Sequence, residues 1–197
     1  MRKNLTIPGL VLVSAALLGA CGSTDPMPGM NSGSPAPSSA QAAAGHNAGD
    51  VTFAQQMIPH HSQALDMAKL VPSRSTNPKV LDLASRIEKA QGPEIKQLQG
   101  WLTSWGAAST APSMPGMDHD MAGMMSGDDM KQLEAAKGIE FDKMWLGMMI
   151  KHHQGAIDMA KSELAEGGNA DAKALARKII DAQQAEITEM QGLLTQS

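Results

Sequence analysis

Met57-Ile-Pro-His-His-Ser-Gln-Ala-Leu-Asp-Met-Ala-Lys69 and Met149-Ile-Lys-His-His-Gln-Gly-Ala-Ile-Asp-Met-Ala-Lys161 are two copies of one motif, identical at nine of thirteen positions at a constant offset of 92. Each centres on adjacent histidines, His60-His61 and His152-His153, four of the six in the chain. Duplicating a fold does not require keeping rare polar residues inside apolar stretches, so their retention points to chemistry. The register continues outward. Leu83, Ala84, Ile87, Ala90, Gln91, Glu94, Ile95, Gln99 and Leu102 recur as Leu175, Ala176, Ile179, Ala182, Gln183, Glu186, Ile187, Gln191 and Leu194. A unit this long, read only twice, is no solenoid module. It predicts two related helical hairpins packed face to face, an all-α four-helix bundle.

The apolar positions set the helix boundaries. Phe53, Met57, His60, Ala64, Met67 and Ala68 recur at three- and four-residue steps, predicting a helix from a cap at Asp50 to about Leu70. Pro59 is expected to kink it. Asn77-Pro78 starts a second helix reaching about Trp105, with a bend expected at Gly92-Pro93. Asp128 or Asp129 opens a short helix to about Ala136. A long one follows from about Glu140 to Glu166, stopped by Gly167-Gly168, and the last spans about Ala170 to Leu194. Nothing in the mature chain alternates with period two, so no strand is expected.

On a helical wheel, Met57, His60, His61 and Met67 share a face about 120° wide, with Asp66 on the opposite side. The second copy repeats this with Met149, His152, His153 and Met159, and adds Met148 and, before it, Met144. Asp66 and its counterpart Asp158 therefore read as solvated or paired residues. Imidazole nitrogen beside thioether sulfur suits a soft or borderline metal. Copper leads, with Cu(I) favoured by Met over Cu(II) and silver as a mimic. Zinc would bring Cys or carboxylates, and calcium or magnesium would need clustered oxygens. Against this stands ordinary packing, since a Met stripe at helical spacing also fills core gaps. Two adjacent histidines in both repeats are harder to explain by packing, because each buried imidazole needs polar partners. The two faces can converge on one site or make two; the spacing leaves both open.

Residues 114–125 read MPGMDHDMAGMM, crowding Met114, Met117, His119, Met121, Met124 and Met125 among Gly, Pro and Asp. This segment has no helical period to bury. A Met/His string of this kind can wrap a soft cation and is expected to act as a capture arm. Met27 and Met30 are a weaker echo.

The N-terminus reads as an export signal over residues 1–20, with Arg2 and Lys3 before the apolar run Leu10 to Leu18, too short for a permanent span. Leu18-Gly19-Ala20-Cys21 resembles a bacterial lipoprotein signal, in which Cys21 would carry lipid and anchor the protein to the cell envelope. Cys21 is the single cysteine, so no disulfide is expected. Residues 21–49, rich in Gly, Ser, Pro and Ala, read as a flexible tether. The bundle occupies 50–197, as repeat one (50–105), the Met/His-rich linker (106–127) and repeat two (128–197). Removing the signal takes the net charge from −4 to −6, which offers no footprint for nucleic acid and does not repel cations.

His46-Asn47-x-x-Asp50-Val51-x-Phe53-Ala54-x-x-Met57-Ile58-Pro59-His60-His61, Phe141 to Ala156 and Ala182 to Ile187 together resemble the ferritin-like family catalogued as domain of unknown function 305. The resemblance covers about residues 46–105 and 128–197. It implies a four-helix core in an exported or envelope protein. Several members are associated with copper binding and tolerance, which implies His60, His61, His152 and His153, with nearby Met, as ligands. His46 and Asp50 match as well. "Ferritin-like" also raises a di-iron oxidase, which needs Glu-x-x-His motifs on two helices. None occurs in this chain. No nucleophile–base motif or phosphate-cradling loop stands out, so the expectation is a binding protein rather than an enzyme. A metal-free, partner-binding lipoprotein is the remaining alternative.

Overall fold

The computed structural model describes residues 45–109 and 122–196. The signal, Cys21, most of the tether and Met114, Met117, His119 and Met121 lie outside them. Among the described residues there are five helices and no strand: α1 (Ala48–Arg74), α2 (Pro78–Ser104), α3 (Gly127–Ala135), α4 (Gly138–Glu166) and α5 (Ala170–Leu194). α1 packs on α2, α4 packs on α5, and the two hairpins meet along α1 and α4. The chain is all-α, as the repeats predicted. No helix among the described residues is long and apolar enough to cross a membrane.

Several boundaries differ from the sequence expectation for local reasons. Asn47, not Asp50, caps α1: its side chain accepts from the Gly49 and Asp50 N–H groups, while Asp50 reaches back to the Asn47 N–H. That is a capping box, with Asp50 three residues inside the helix. Ser126 and Asp129 build the same device at α3. α1 and α2 run unbroken through Pro59 and through Gly92-Pro93. Gly167 ends α4 in an extended conformation rather than a left-handed one (φ −64°, ψ 155°). Its lack of a side chain matters for another reason: a Cβ there would lie 2.1 Å from Glu163 Oε1.

α1 and α4 run antiparallel. Asn47 Nδ2 donates to the Glu166 carbonyl at 2.8 Å, and Asp50 accepts from the Gly168 and Asn169 N–H groups. Glu163, 1% exposed, lies at this end as well, where burial and the Asp50 carboxylate push its carboxyl up to about 8. On the far side of the bundle from that end, the indole N–H of fully buried Trp145 donates to the Met67 carbonyl at 3.0 Å, tying α4 to α1.

The core is divided. One apolar cluster holds Phe53, Ala54 and Met57 with Leu98, Leu102, Ala160, Leu175 and Ile179. The other holds Met67, Val71, Leu83, Ile87, Phe141, Trp145, Met149 and Met190. Along each long helix a buried polar pair falls between them: His60-His61 on α1, Gln91 and Glu94 on α2, His152-His153 on α4, and Gln183 with half-buried Glu186 on α5. A bundle stabilised by apolar burial thus carries a polar layer across its middle, at a cost that ordinary packing does not offset.

Candidate metal site

Adjacent residues on a helix point about 100° apart, so two neighbouring histidines can reach different helices. The bundle uses both directions. His60 and His152 face each other across the α1–α4 seam, with ring centroids 3.7 Å apart and planes tilted by 36°. His61 turns to α2, where its Nε2 meets Glu94 Oε2 at 3.0 Å. His153 turns to α5, where its Nε2 meets Glu186 Oε2 at 2.7 Å. Both pairs span 33 residues, so the repeat reproduces the contact as well as the sequence. All four imidazoles are buried, none more than 1% exposed.

Burial, followed by the neighbouring His61, pushes the His60 imidazolium down to a pKa of about 3, although the Ala122 backbone works the other way. Burial, then His60 and the other two histidines, holds His152 well below its ordinary range. Both rings are therefore neutral near pH 7, with a lone pair available to a metal. Burial alone would raise the Glu94 carboxyl, but the hydrogen bond with His61, with Lys178 beyond, outweighs it and holds it below the usual range.

Both ring nitrogens of His60 and of His152 lack a hydrogen-bond partner, as do Nδ1 of His61 and Nδ1 of His153. The Gln91 amide and Gln183 Oε1, in the same layer, are also without one. Each such orphan costs about 1–3 kcal/mol. Copper fits this donor set: an electron-pair acceptor among the rings would take up the lone-pair nitrogen of each, and buried thioethers sit one turn away on α1 and α4. Among the described residues no three His, Cys, Asp or Glu groups form a ready-made metal cage. A site here would need sulfur donors as well.

The methionines divide by position. Met57 and Met149, fully buried, sit one turn before their histidine pairs; because α1 and α4 are antiparallel, they flank the layer from opposite apolar clusters. Met144 and Met148 are partly buried against the cluster of Met149. Met67 and Met159 each lie seven residues past the facing histidine of their own helix, about 10 Å of helix rise, within or against the apolar packing. Asp66 and Asp158 are exposed and pair with Lys69 and Lys161. His46 lies apart from the layer, stacked on Trp105 at 4.8 Å.

The linker's described ends attach beside the histidines. On departure, the Ala108 carbonyl accepts from Gln55 Nε2 at 2.9 Å. On return, Gln63 Nε2 donates to the Met125 carbonyl at 2.9 Å, and the Met125 N–H donates to Gln63 Oε1 at 2.7 Å. Ala122 and Gly123 press on Gly155, where a Cβ would meet the Ala122 carbonyl oxygen at 1.8 Å. Gln63 and Gly155 are equivalent positions of the motif. One supplies a side chain to grip the linker and the other supplies its absence. Met125 is buried and Met124 half-buried. The sequence reading did not single out Gln91, Gln183, Gln63 or Gly155. The first two were discoverable as polar residues held in register on otherwise apolar faces, the last two as a mismatch within an otherwise faithful motif.

Comparison with solved structures gives close relatives. A DUF305 protein from Streptomyces coelicolor is 32% identical with a TM-score of 0.70, over 75% of this chain and 93% of that one. A DUF305 fragment from Deinococcus radiodurans is 32% identical with a TM-score of 0.69, over 77% and 98%. CopM in its Cu(II)-bound form is 30% identical with a TM-score of 0.65, over 75% and 96%. CopM is also solved in Cu(I)-bound, Ag-bound and apo forms. No curated protein sequence matches. The model of the family described as "Domain of unknown function (DUF305)" matches residues 50–194, the whole helical bundle, and the chain belongs to that family.

Proposed function

We propose that this protein binds and sequesters copper, Cu(I) in preference to Cu(II), in an extracytoplasmic compartment, and so contributes to copper tolerance or homeostasis. One observation carries the reading: symmetry-related histidines meet in a buried layer with unpartnered nitrogens, flanked by thioethers. The relative CopM, solved with Cu(II), Cu(I) and Ag, supports it, and silver is the expected mimic. The proposed ligands are His60, His61, His152 and His153 with Met57 and Met149. The meeting of His60 with His152 across the seam favours one shared centre over two separate ones. Met148 is a further donor from the same helix. Met67 and Met159, farther along, are left to the apolar packing.

The Met/His-rich linker is proposed as the capture arm, with Met114, Met117, His119, Met121, Met124 and Met125 as its donors. Its described ends attach at Gln55 and Gln63, which bracket His60 on α1. Lipidation at Cys21 would hold the protein at the bacterial cell envelope. Binding, not catalysis, is proposed. A di-iron oxidase finds two carboxylates, Glu94 and Glu186, at the histidines and no Glu-x-x-His motif.

The test is competition titration of the mature chain with Cu(I), Cu(II), Zn(II) and Fe(II), repeated after changing His60, His61, His152 and His153 to alanine. Tight Cu(I) binding that is lost in the variant is expected. Unchanged Cu(I) affinity would remove the histidines from the ligand set. Oxygen consumption with Fe(II) would restore the oxidase, and a metal-free chain that retains a protein partner would favour the third reading. Deleting residues 114–121 should lower the copper stoichiometry if the arm binds.

A further inference from the structure

We infer that Glu94 and Glu186 are positioning residues that fix His61 and His153 in the Nε2–H tautomer, so that each presents Nδ1 to the metal. This rests on the copper reading and specifies the atoms that carry it out.

A neutral imidazole carries one N–H and one lone pair, and the partner of the N–H decides which nitrogen has which. A carboxylate can only accept, so the ring nitrogen facing it is the one that bears hydrogen. In both repeats that nitrogen is Nε2, at 3.0 Å from Glu94 and 2.7 Å from Glu186. The lone pair is then on Nδ1, and in both rings Nδ1 is buried without a partner. The carboxylate is itself held on the first side: Lys178 Nζ lies 3.4 Å from Glu94 Oε1, the oxygen not used by His61. A carboxylate behind the imidazole also increases its basicity as a ligand, and losing such a partner typically lowers metal affinity about 10–100-fold. His60 and His152 have no comparable restraint, since both nitrogens of each ring are unpartnered. The centre therefore has two rings whose coordinating atom is fixed in advance and two whose atom is free. The same division explains why Glu94 and Glu186 persist on the buried faces of α2 and α5, where an apolar residue would pack at lower cost.

The test uses the mature chain labelled with 15N at histidine, the double variants Glu94→Ala/Glu186→Ala and Glu94→Gln/Glu186→Gln, and Ag(I) as a diamagnetic probe beside Cu(I). Long-range 1H–15N spectra of the metal-free wild type should show the Nε2–H tautomer at His61 and His153. Addition of Ag(I) should shift and split the Nδ1 signals of those two rings. The alanine variant should lose about 10–100-fold in Cu(I) affinity. The glutamine variant, whose amide oxygen still accepts from Nε2–H, should keep the tautomer and recover much of that loss. Coordination through Nε2, or unchanged affinity in a folded alanine variant, would overturn the inference while leaving copper binding intact. A wild type that binds neither Cu(I) nor Ag(I) would overturn the copper reading and, with it, the metal-facing role of Nδ1.

Discussion

His60 and His152 occupy the same position in the two repeats and lie ring to ring, 3.7 Å between centroids, across the seam of α1 and α4. Each is the other's nearest equivalent, so the pseudo-twofold relation of the hairpins passes between them. Four ring nitrogens there have no hydrogen-bond partner. Such unpartnered atoms cost stability, and under the proposed function the layer is kept for the metal it would bind.

Replacing both facing histidines by leucine should therefore separate stability from function. Removing orphaned polar atoms at about 1–3 kcal/mol each is expected to raise the metal-free melting temperature by several degrees. The rise in melting temperature on adding Cu(I) should disappear. A scanning calorimetry series with and without Cu(I) checks both. A less stable variant that keeps its Cu(I) shift would count against the reading.

Gly155→Ala should dislodge the linker without harming α4. Alanine suits a helix interior better than glycine by about 1 kcal/mol, but its Cβ would meet the Ala122 carbonyl oxygen at 1.8 Å. Helical circular dichroism should be preserved while amide exchange at Met125, which donates to Gln63, accelerates. Gly147→Ala is the control: nothing lies within 4 Å of a Cβ there, so exchange at Met125 should not change.

The end of the bundle near Asp50 should respond to pH through Glu163. Burial, then the hydrogen bond and charge of Asp50, push the Glu163 carboxyl from 4.5 up to about 8, with Lys173 of α5 opposing. Glu166 is the next acid at this end of α4. Because the folded pKa is raised, the folded state keeps a proton that the unfolded chain releases. The contribution to stability is full below about 4.5 and is lost as pH rises through about 8. Glu163→Gln keeps a donor toward Asp50 and cannot ionise. Its melting temperature should hold over that window relative to the wild type, and a carboxyl 13C titration should place Glu163 near 8. Parallel curves for the two proteins would refute the proton-held contact.

Asn47→Ala should cost about 1 kcal/mol, because the side chain caps α1 and also reaches the Glu166 carbonyl. Chemical denaturation measures this directly, and the loss should fall on stability without altering Cu(I) affinity.

Much was legible in the sequence because it depended on periodicity and repetition. The three- and four-residue steps from Phe53 to Ala68 and the faithful copy at 92 residues' offset specified helices, hairpins and the shared helix face of the histidines and methionines. Asp66 and Asp158 were placed correctly off the histidine face, and both are exposed and paired to lysine. The cap of α1 was misplaced because Asn47 and Asp50 are both good capping residues, and only backbone conformation distinguishes cap from third position.

By itself the sequence determined that this chain is a duplicated helical hairpin with paired His and Met on one face of each first helix, since helical spacing is a property of the chain alone. Only the tertiary structure decided which histidine meets which partner. Whether His60 faces His152 while His61 faces Glu94 depends on the antiparallel crossing of α1 and α4 and on where α2 returns, and these are contacts between residues distant in sequence.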